Sequence, residues 1–208
     1  HDRNKRLLVR KRKGSKNFLR TKKGRVYKTT LVSKLLIIFL NKLATLDPDG
    51  VGVEMEADKP GWCDSLNGLP ALFGSSLCET YELKRAALIL LKALEAIKCC
   101  GKKDIMMINE AAVFFKRLNT LLKQNLAAKA SKVDFTWWDK SNSIKEDFRQ
   151  KVFYSVEGKE TKVSIDKIED FLKKAVIKLN KGISKAKDPK SAIPFTYFTF
   201  EVTKCQLT

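Results

Sequence analysis

Apolar residues return at helical spacing over three long stretches of this chain, and that rhythm commits its core to packed helices. Between 165 and 187 the stripe is Ile168, Phe171, Leu172, Ala175, Leu179 and Ile183. Between 76 and 99 it is Leu83, Ala87, Leu90, Leu91 and Leu94, and between 108 and 129 it is Ala112, Phe115, Leu118, Leu122 and Leu126. A helix of about 24 residues, as the second of these would be, is roughly 36 Å long. Thr30 is placed to cap a further helix reaching about Leu46. Asp47-Pro48-Asp49-Gly50 ends it, because proline disfavours helix before it and glycine tolerates positive φ. Ser76 and Glu79 have the spacing of a capping box, and Gly101 stands where that helix should stop. A shorter helix is predicted over 141–151.

The strand signals are brief. Phe18, Leu19, Val26 and Tyr27 lie either side of Lys22-Lys23-Gly24, as in a hairpin over 17–29, and Val51, Val53 and Met55 alternate with Gly52, Glu54 and Glu56. The run 133–138 is read apart from the helix after it, and a second hairpin is expected to turn at Glu157-Gly158. Ile193 to Cys205 is β-prone, with Phe195, Tyr197, Phe198 and Phe200, and no partner strand is apparent after it. With His1 rather than Met at the start, this suggests a part of a larger protein. The expected organisation is a basic hairpin segment over 1–30 followed by a mainly α segment over 31–208, with small β-hairpins.

The formal net charge of +19 invites a nucleic-acid reading, as a basic binding module. Its distribution argues otherwise. Residues 1–28 hold 13 Lys or Arg against one acid, so they alone supply +12. Of the 42 basic residues 33 are Lys, and beyond residue 28 the only arginines are Arg85, Arg117 and Arg149, whereas phosphate and base recognition favours arginine forks. No specific nucleic-acid partner is expected. The five cysteines include the adjacent Cys99 and Cys100 and no CxxC pair, which suits a reducing cytoplasm rather than a disulfide framework. Leu31 to Leu46 is interrupted by Lys34, Asn41 and Lys42 and is too short to span a bilayer, so no membrane partner is expected.

His1 is the only histidine, which leaves the sequence without Ser-His or Cys-His pairs and without an HExxH zinc site. It also lacks GxGxxG and GxxxxGK[ST]. No metal or cofactor site is expected, and carboxylates remain as the available chemistry. Glu54, Glu56, Asp58 and Asp64 fall within eleven residues around Trp62, and Asp139 follows Trp137-Trp138. They border or lie in a stretch, 57–75, that combines Gly61, Gly68, Gly74, Pro60 and Pro70 with Trp62, Leu66, Leu69, Leu72 and Phe73. A loop this apolar is packed rather than merely solvated. Acids beside indoles suit a sugar site, since an indole covers the C–H face of a pyranose and carboxylates bond its hydroxyls. An apolar wall also raises a carboxyl pKa, as a general acid requires. The plainer alternative makes Trp62 and Trp137 core residues and leaves Glu54 and Glu56 in solvent.

The run Glu56-Ala57-Asp58-Lys59-Pro60-Gly61-Trp62-Cys63-Asp64-Ser65-Leu66-Asn67-Gly68-Leu69-Pro70 resembles the acid-bearing loop of cellobiose phosphorylases and their relatives. Gly74-Ser75-Ser76, Glu79-Thr80-Tyr81-Glu82-Leu83, Trp138-Asp139 and Pro194-Phe195-Thr196-Tyr197-Phe198 are similar to large cellobiose-phosphorylase-like bacterial proteins. The loop of that family typically reads Asp-Trp-Asn-Asp-x-Leu-Asn. Trp62, Asp64, Leu66 and Asn67 match it, while Gly61 and Cys63 depart from it. The resemblance implies part of an (α/α)6 barrel and an inverting enzyme that cleaves a glycosidic bond by phosphorolysis. It places the general acid at Asp64, with Glu56 in reserve. Trp62, Asn67, Glu54, Glu56, Trp138 and Asp139 become candidate sugar contacts. The implied partners are an oligosaccharide or disaccharide substrate, inorganic phosphate as possible co-substrate, and the rest of the parent chain, without which the segment is expected to be inactive. An inverting hydrolase on the same barrel and a non-catalytic sugar binder are the other readings.

Overall fold

Each predicted stripe becomes the buried face of a helix. The computed structural model describes residues 18–54, 74–129 and 132–199. Its helices are α1 (Leu31–Leu43), α2 (Leu77–Cys99), α3 (Asn109–Ala127), α4 (Val133–Val152) and α5 (Ile165–Lys185). The strands are β1 (Val53–Glu54), β2 (Gly74–Ser76), β3 (Asp104–Ile108), β4 (Glu160–Ser164) and β5 (Tyr197–Thr199). The protein is mainly helical, with small antiparallel sheets ordered β1-β2-β5 and β3-β4.

The connections make the helices alternate in direction between two ends. The α1 helix starts beside β3, where Ser33 Oγ donates to Met106 O at 2.6 Å, and stops beside β1, where Glu54 N donates to Thr45 O at 2.7 Å. The α2 helix leaves β2 and leads to β3, so the two sheets lie roughly 34 Å apart along its axis. In turn α3 leaves β3, α4 returns, and α5 runs from β4 towards β5. Phe171 of α5 is central: its ring meets Phe39 of α1 and Phe115 of α3 edge-on, at centroid distances of 6.3 and 5.2 Å. Phe114 of α3 stacks on Phe148 of α4 at 4.7 Å. The α1 helix is apolar on both sides. It buries Leu36, Phe39, Leu40 and Leu43, yet Leu31, Leu35 and Ile38 remain 70%, 38% and 48% exposed. Among the described residues no helix is long and apolar enough to cross a membrane.

Several expectations hold in detail. Thr30 Oγ1 accepts from Ser33 N at 3.2 Å as the cap of α1. The first hairpin closes through the Arg20–Val26 bridge, with Gly24 at φ +81°. Others need correction. Residues 133–138 are not a separate element but the start of α4, because Trp137, Ser141, Ile144 and Phe148 form one inward row across the supposed break. Ser141, the expected start of the helix, is an interior residue whose hydroxyl donates to Ala44 O at 3.1 Å. Ser76 stands at the N-cap of α2 without a side-chain cap bond, and Glu79 pairs with Lys42 at 3.5 Å instead of closing a capping box.

Glu157-Gly158 does not turn a hairpin between neighbouring strands. Gly158 has φ +81°, but Val156 pairs with the first hairpin through Arg20 O and Lys22 N, and β4 crosses to β3. The strand β3, between two predicted helices, was not anticipated. It is short, and its inward side is marked only by Ile105 and Met107. The partner for the C-terminal β-prone run lies upstream rather than downstream: Gly74, Ser75 and Ser76 pair with Thr199, Phe198 and Tyr197. Of the strand expected over 51–56, residues 53 and 54 form β1, while Val51 and Gly52 are buried in the bend before it.

Candidate functional site

The β1–β2–β5 end gathers most of the polar chemistry among the described residues. It is organised by Asp47, just beyond α1. Its Oδ1 accepts from Asp49 N (3.1 Å) and Val51 N (2.8 Å), and its Oδ2 from Gly52 N (2.8 Å) and Ser75 Oγ (2.6 Å). A carboxylate buried to 3% exposure is tolerable when donors surround it in this way. The tie welds the turn after α1 to β2. Gly50, at φ +69°, and Gly182 permit close packing there: a Cβ on Gly182 would lie 2.2 Å from Gly50 O.

Seven residues beyond Asp47, Glu54 closes β1 opposite Ser75. Glu54 and Gly74, the described residues on either side of 55–73, therefore stand on adjacent strands. Glu54 Oε1 accepts from the Trp138 indole N–H at 2.5 Å. Burial pushes the Glu54 carboxyl above its ordinary value, and the Trp138 bond and the nearby Lys145 ammonium only partly oppose that shift. Lys145 is 5% exposed and donates to Asn142 Oδ1 at 2.8 Å. The corner thus holds a carboxyl from β1 against an indole, beside a buried ammonium and an amide, the last three positioned by α4. Such a set can bond hydroxyl groups as acceptor and as donor.

Behind it, Lys178 of α5 is 3% exposed, bonded to Asn125 Oδ1 (3.1 Å) and Asp134 Oδ1 (2.8 Å), and sits 4.9 Å from the Trp137 ring centroid. Burial lowers the Lys178 pKa, against the pull of Asp134. Burial would raise Asp134, but bonds from Lys178 and Lys185 outweigh it and hold that carboxyl low. This network joins α3, α4 and α5 and is structural.

Of the residues singled out in the sequence, Glu54 and Trp138 are brought into direct contact across 84 positions of chain. Asp139 is exposed on α4. Asp64, Trp62, Asn67 and Glu56 lie outside the described residues. Trp137 is a core residue at 0% exposure, as the plainer reading held, but Glu54 is not a simple solvated acid. Sequence reasoning missed Asp47, Asn142 and Lys145. A signal existed for Lys145, which follows the inward Ile144 and falls seven residues after Trp138, a lysine on the wrong side of an amphipathic helix. Among the described residues no group of three or more His, Cys, Asp or Glu is placed to hold a metal ion. No family model matches the chain, and a comparison with curated proteins gives no match.

Proposed function

We propose that this chain is part of a carbohydrate-active enzyme of the cellobiose-phosphorylase-like kind, with its sugar site at the β1–β2–β5 end. The observation that carries the reading is the Glu54–Trp138 pair at the root of the segment bearing Asp64. It puts a carboxyl of raised pKa on an indole beside that segment, and the Asp47 tie holds both ends of the segment in register. The apolar outer side of α1 supports membership of a larger helical barrel, since a helix apolar on both sides suits cover from a further layer.

In this reading Asp64 donates its proton to the glycosidic oxygen as the bond to the anomeric carbon breaks. A phosphate oxygen attacks that carbon from the opposite face. The products are a sugar phosphate of inverted configuration and a neutral sugar hydroxyl. Glu54 and Trp138 orient the substrate, with Trp62, Asn67, Glu56 and Asp139 as further contacts. Phosphate brings its own nucleophilic oxygen, so a single catalytic carboxyl suffices. A hydrolase on the same frame would need a second carboxylate as base for water.

Asp64→Asn in the complete protein tests the assignment. Turnover of an unactivated disaccharide should fall by about 10²–10⁴, while a substrate with a good leaving group is largely spared. Phosphate-dependent release of a sugar phosphate separates phosphorolysis from hydrolysis. Unchanged rates on both substrates would remove Asp64 from the acid role and pass it to Glu56 for testing.

A further inference from the structure

One face of α4 carries a row of four side chains that meets β1 at Glu54. Phe135, Trp138, Asn142 and Lys145 follow one another at intervals of three, four and three residues, the spacing of a single helix face. They are linked in order. The Phe135 and Trp138 ring centroids lie 5.4 Å apart, with the planes tilted by 43°. Asn142 Nδ2 donates to Trp138 O at 3.0 Å, and Asn142 Oδ1 accepts from Lys145 Nζ at 2.8 Å. Glu54 joins the row from β1 through the Trp138 indole. Ten residues of helix make the row about 15 Å long, more than one pyranose ring occupies.

Burial is graded along it. Lys145 is 5% exposed, Asn142 and Trp138 are half-buried, and Phe135 is 37% exposed. The row therefore opens to water at its aromatic end, and the outermost ring lies against an indole that Glu54 already holds. Asp134, beside Phe135 in the chain, turns to Lys178 and Lys185 at 2.8 and 2.6 Å, so its charge is taken up by α5. Asp139, four residues after Phe135, is exposed and stands next to it on the helix surface.

We infer that Phe135 is the outer aromatic contact of the sugar site. One pyranose unit is held at Glu54 and Trp138, and the next unit, towards water, lies on the Phe135 ring with a hydroxyl directed to Asp139. The inference rests on the function proposed above, and adds to it a specificity-determining residue and an order of units along α4. Two rings on one face, with a carboxyl at the inner one and another flanking the outer one, match a ligand that repeats an apolar C–H face and a hydroxyl edge. An apolar partner would strip water from both carboxyls without bonding either.

Calorimetric titration of the complete protein with glucose and with its β-1,4-linked disaccharide, without phosphate, tests this. Native protein should bind the disaccharide more tightly than the single unit. Phe135→Ala and Phe135→Leu should each weaken the disaccharide roughly three- to tenfold and leave glucose within about twofold, while Phe135→Tyr keeps the ring and the affinity. The leucine variant keeps apolar bulk beside Trp138, so a role confined to packing leaves its binding normal. Thermal midpoints near the native value show that the leucine and tyrosine variants fold. Three outcomes overturn the outer contact. In one, the second unit adds no affinity or Phe135→Leu binds the disaccharide normally, and the site at Glu54 and Trp138 stands without it. In another, the alanine and leucine variants lose glucose and disaccharide equally, which makes Phe135 a prop for Trp138. In the last, native protein binds neither sugar, and the carbohydrate reading falls together with the inference.

Discussion

At the β3–β4 end polar side chains pair directly on the exposed surface. Lys22 pairs with Glu157 at 3.3 Å, Lys98 with Asp166 at 2.9 Å, and Tyr27 OH donates to Glu160 Oε1 at 2.8 Å. At the β1–β2–β5 end Asp47, Lys145 and Lys178 are each at most 5% exposed, and each is held by specific bonds. The same helices run between the two ends, so helix stability does not explain the contrast. An exposed pair adds between zero and about 1 kcal/mol, and its members can be exchanged freely. A buried charge persists only if its bonds are complete, and removing one member leaves the rest stranded. Buried polar groups therefore mark the end where backbone geometry is held most strictly, and there Glu54 and Gly74 flank residues 55–73.

The contrast breaks first, and hardest, at Asp47. Asp47→Ala strands the amides of Asp49, Val51 and Gly52 and the hydroxyl of Ser75, and should lower stability by at least about 3 kcal/mol in urea unfolding. Glu157→Ala at the other end should stay within about 0.5 kcal/mol. Equal losses would show that both ends are equally constrained.

Two glycines sharpen the same point with a smaller effect. An Ala at Gly182 would drive its Cβ to 2.2 Å from Gly50 O, whereas Gly101, at φ +78°, has nothing within 4 Å of a built Cβ. Gly182→Ala should cost about 3 kcal/mol by forcing α5 off the turn, and Gly101→Ala only about 1 kcal/mol of backbone strain. Matching thermal midpoints would mean that α5 can withdraw from the turn without penalty.

The smallest effect concerns Glu54 and depends on pH. Its folded pKa is raised by burial, so folding takes up a proton there. The linked stabilisation is complete below the ordinary glutamate value and is lost as pH rises through the raised folded value. Glu54→Gln keeps an oxygen for the Trp138 indole and removes the buried charge. Unfolding midpoints measured from pH 4 to pH 8 should show the variant gaining on the native protein towards neutrality, with the gap closing in acid. A gap of constant size would show that Glu54 titrates as an ordinary surface acid.

Much of the framework was legible in the residues. The stripe from Ile168 to Ile183 names the buried face of α5 and Thr30 caps α1, because these signals act within a turn or two of chain; α1 itself stops at Leu43, short of the expected Leu46 and before the Asp47–Gly50 turn. The site was legible in part. Glu54 and Trp138 could be chosen by residue type, but nothing along 84 positions of chain says that they touch. Lys145 shows why such partners escape notice: a lysine reads as solvated until its helix turns it inward.

The amino-acid sequence by itself determined where α1, α2, α3 and α5 form and which residues they bury, since helical periodicity and capping are local effects, but not the full length of α4. Tertiary structure alone decided which short strands pair. β3 finds β4 across 52 or more positions, and β5 returns to β2 rather than onward, because a two- to five-residue strand carries too little pattern to specify a distant partner. It also decided the state of the acids. Asp47 and Glu54 differ by one methylene and seven positions; four donors packed around the first make it a structural tie, while burial raises the pKa of the second against the opposing bond from the Trp138 indole.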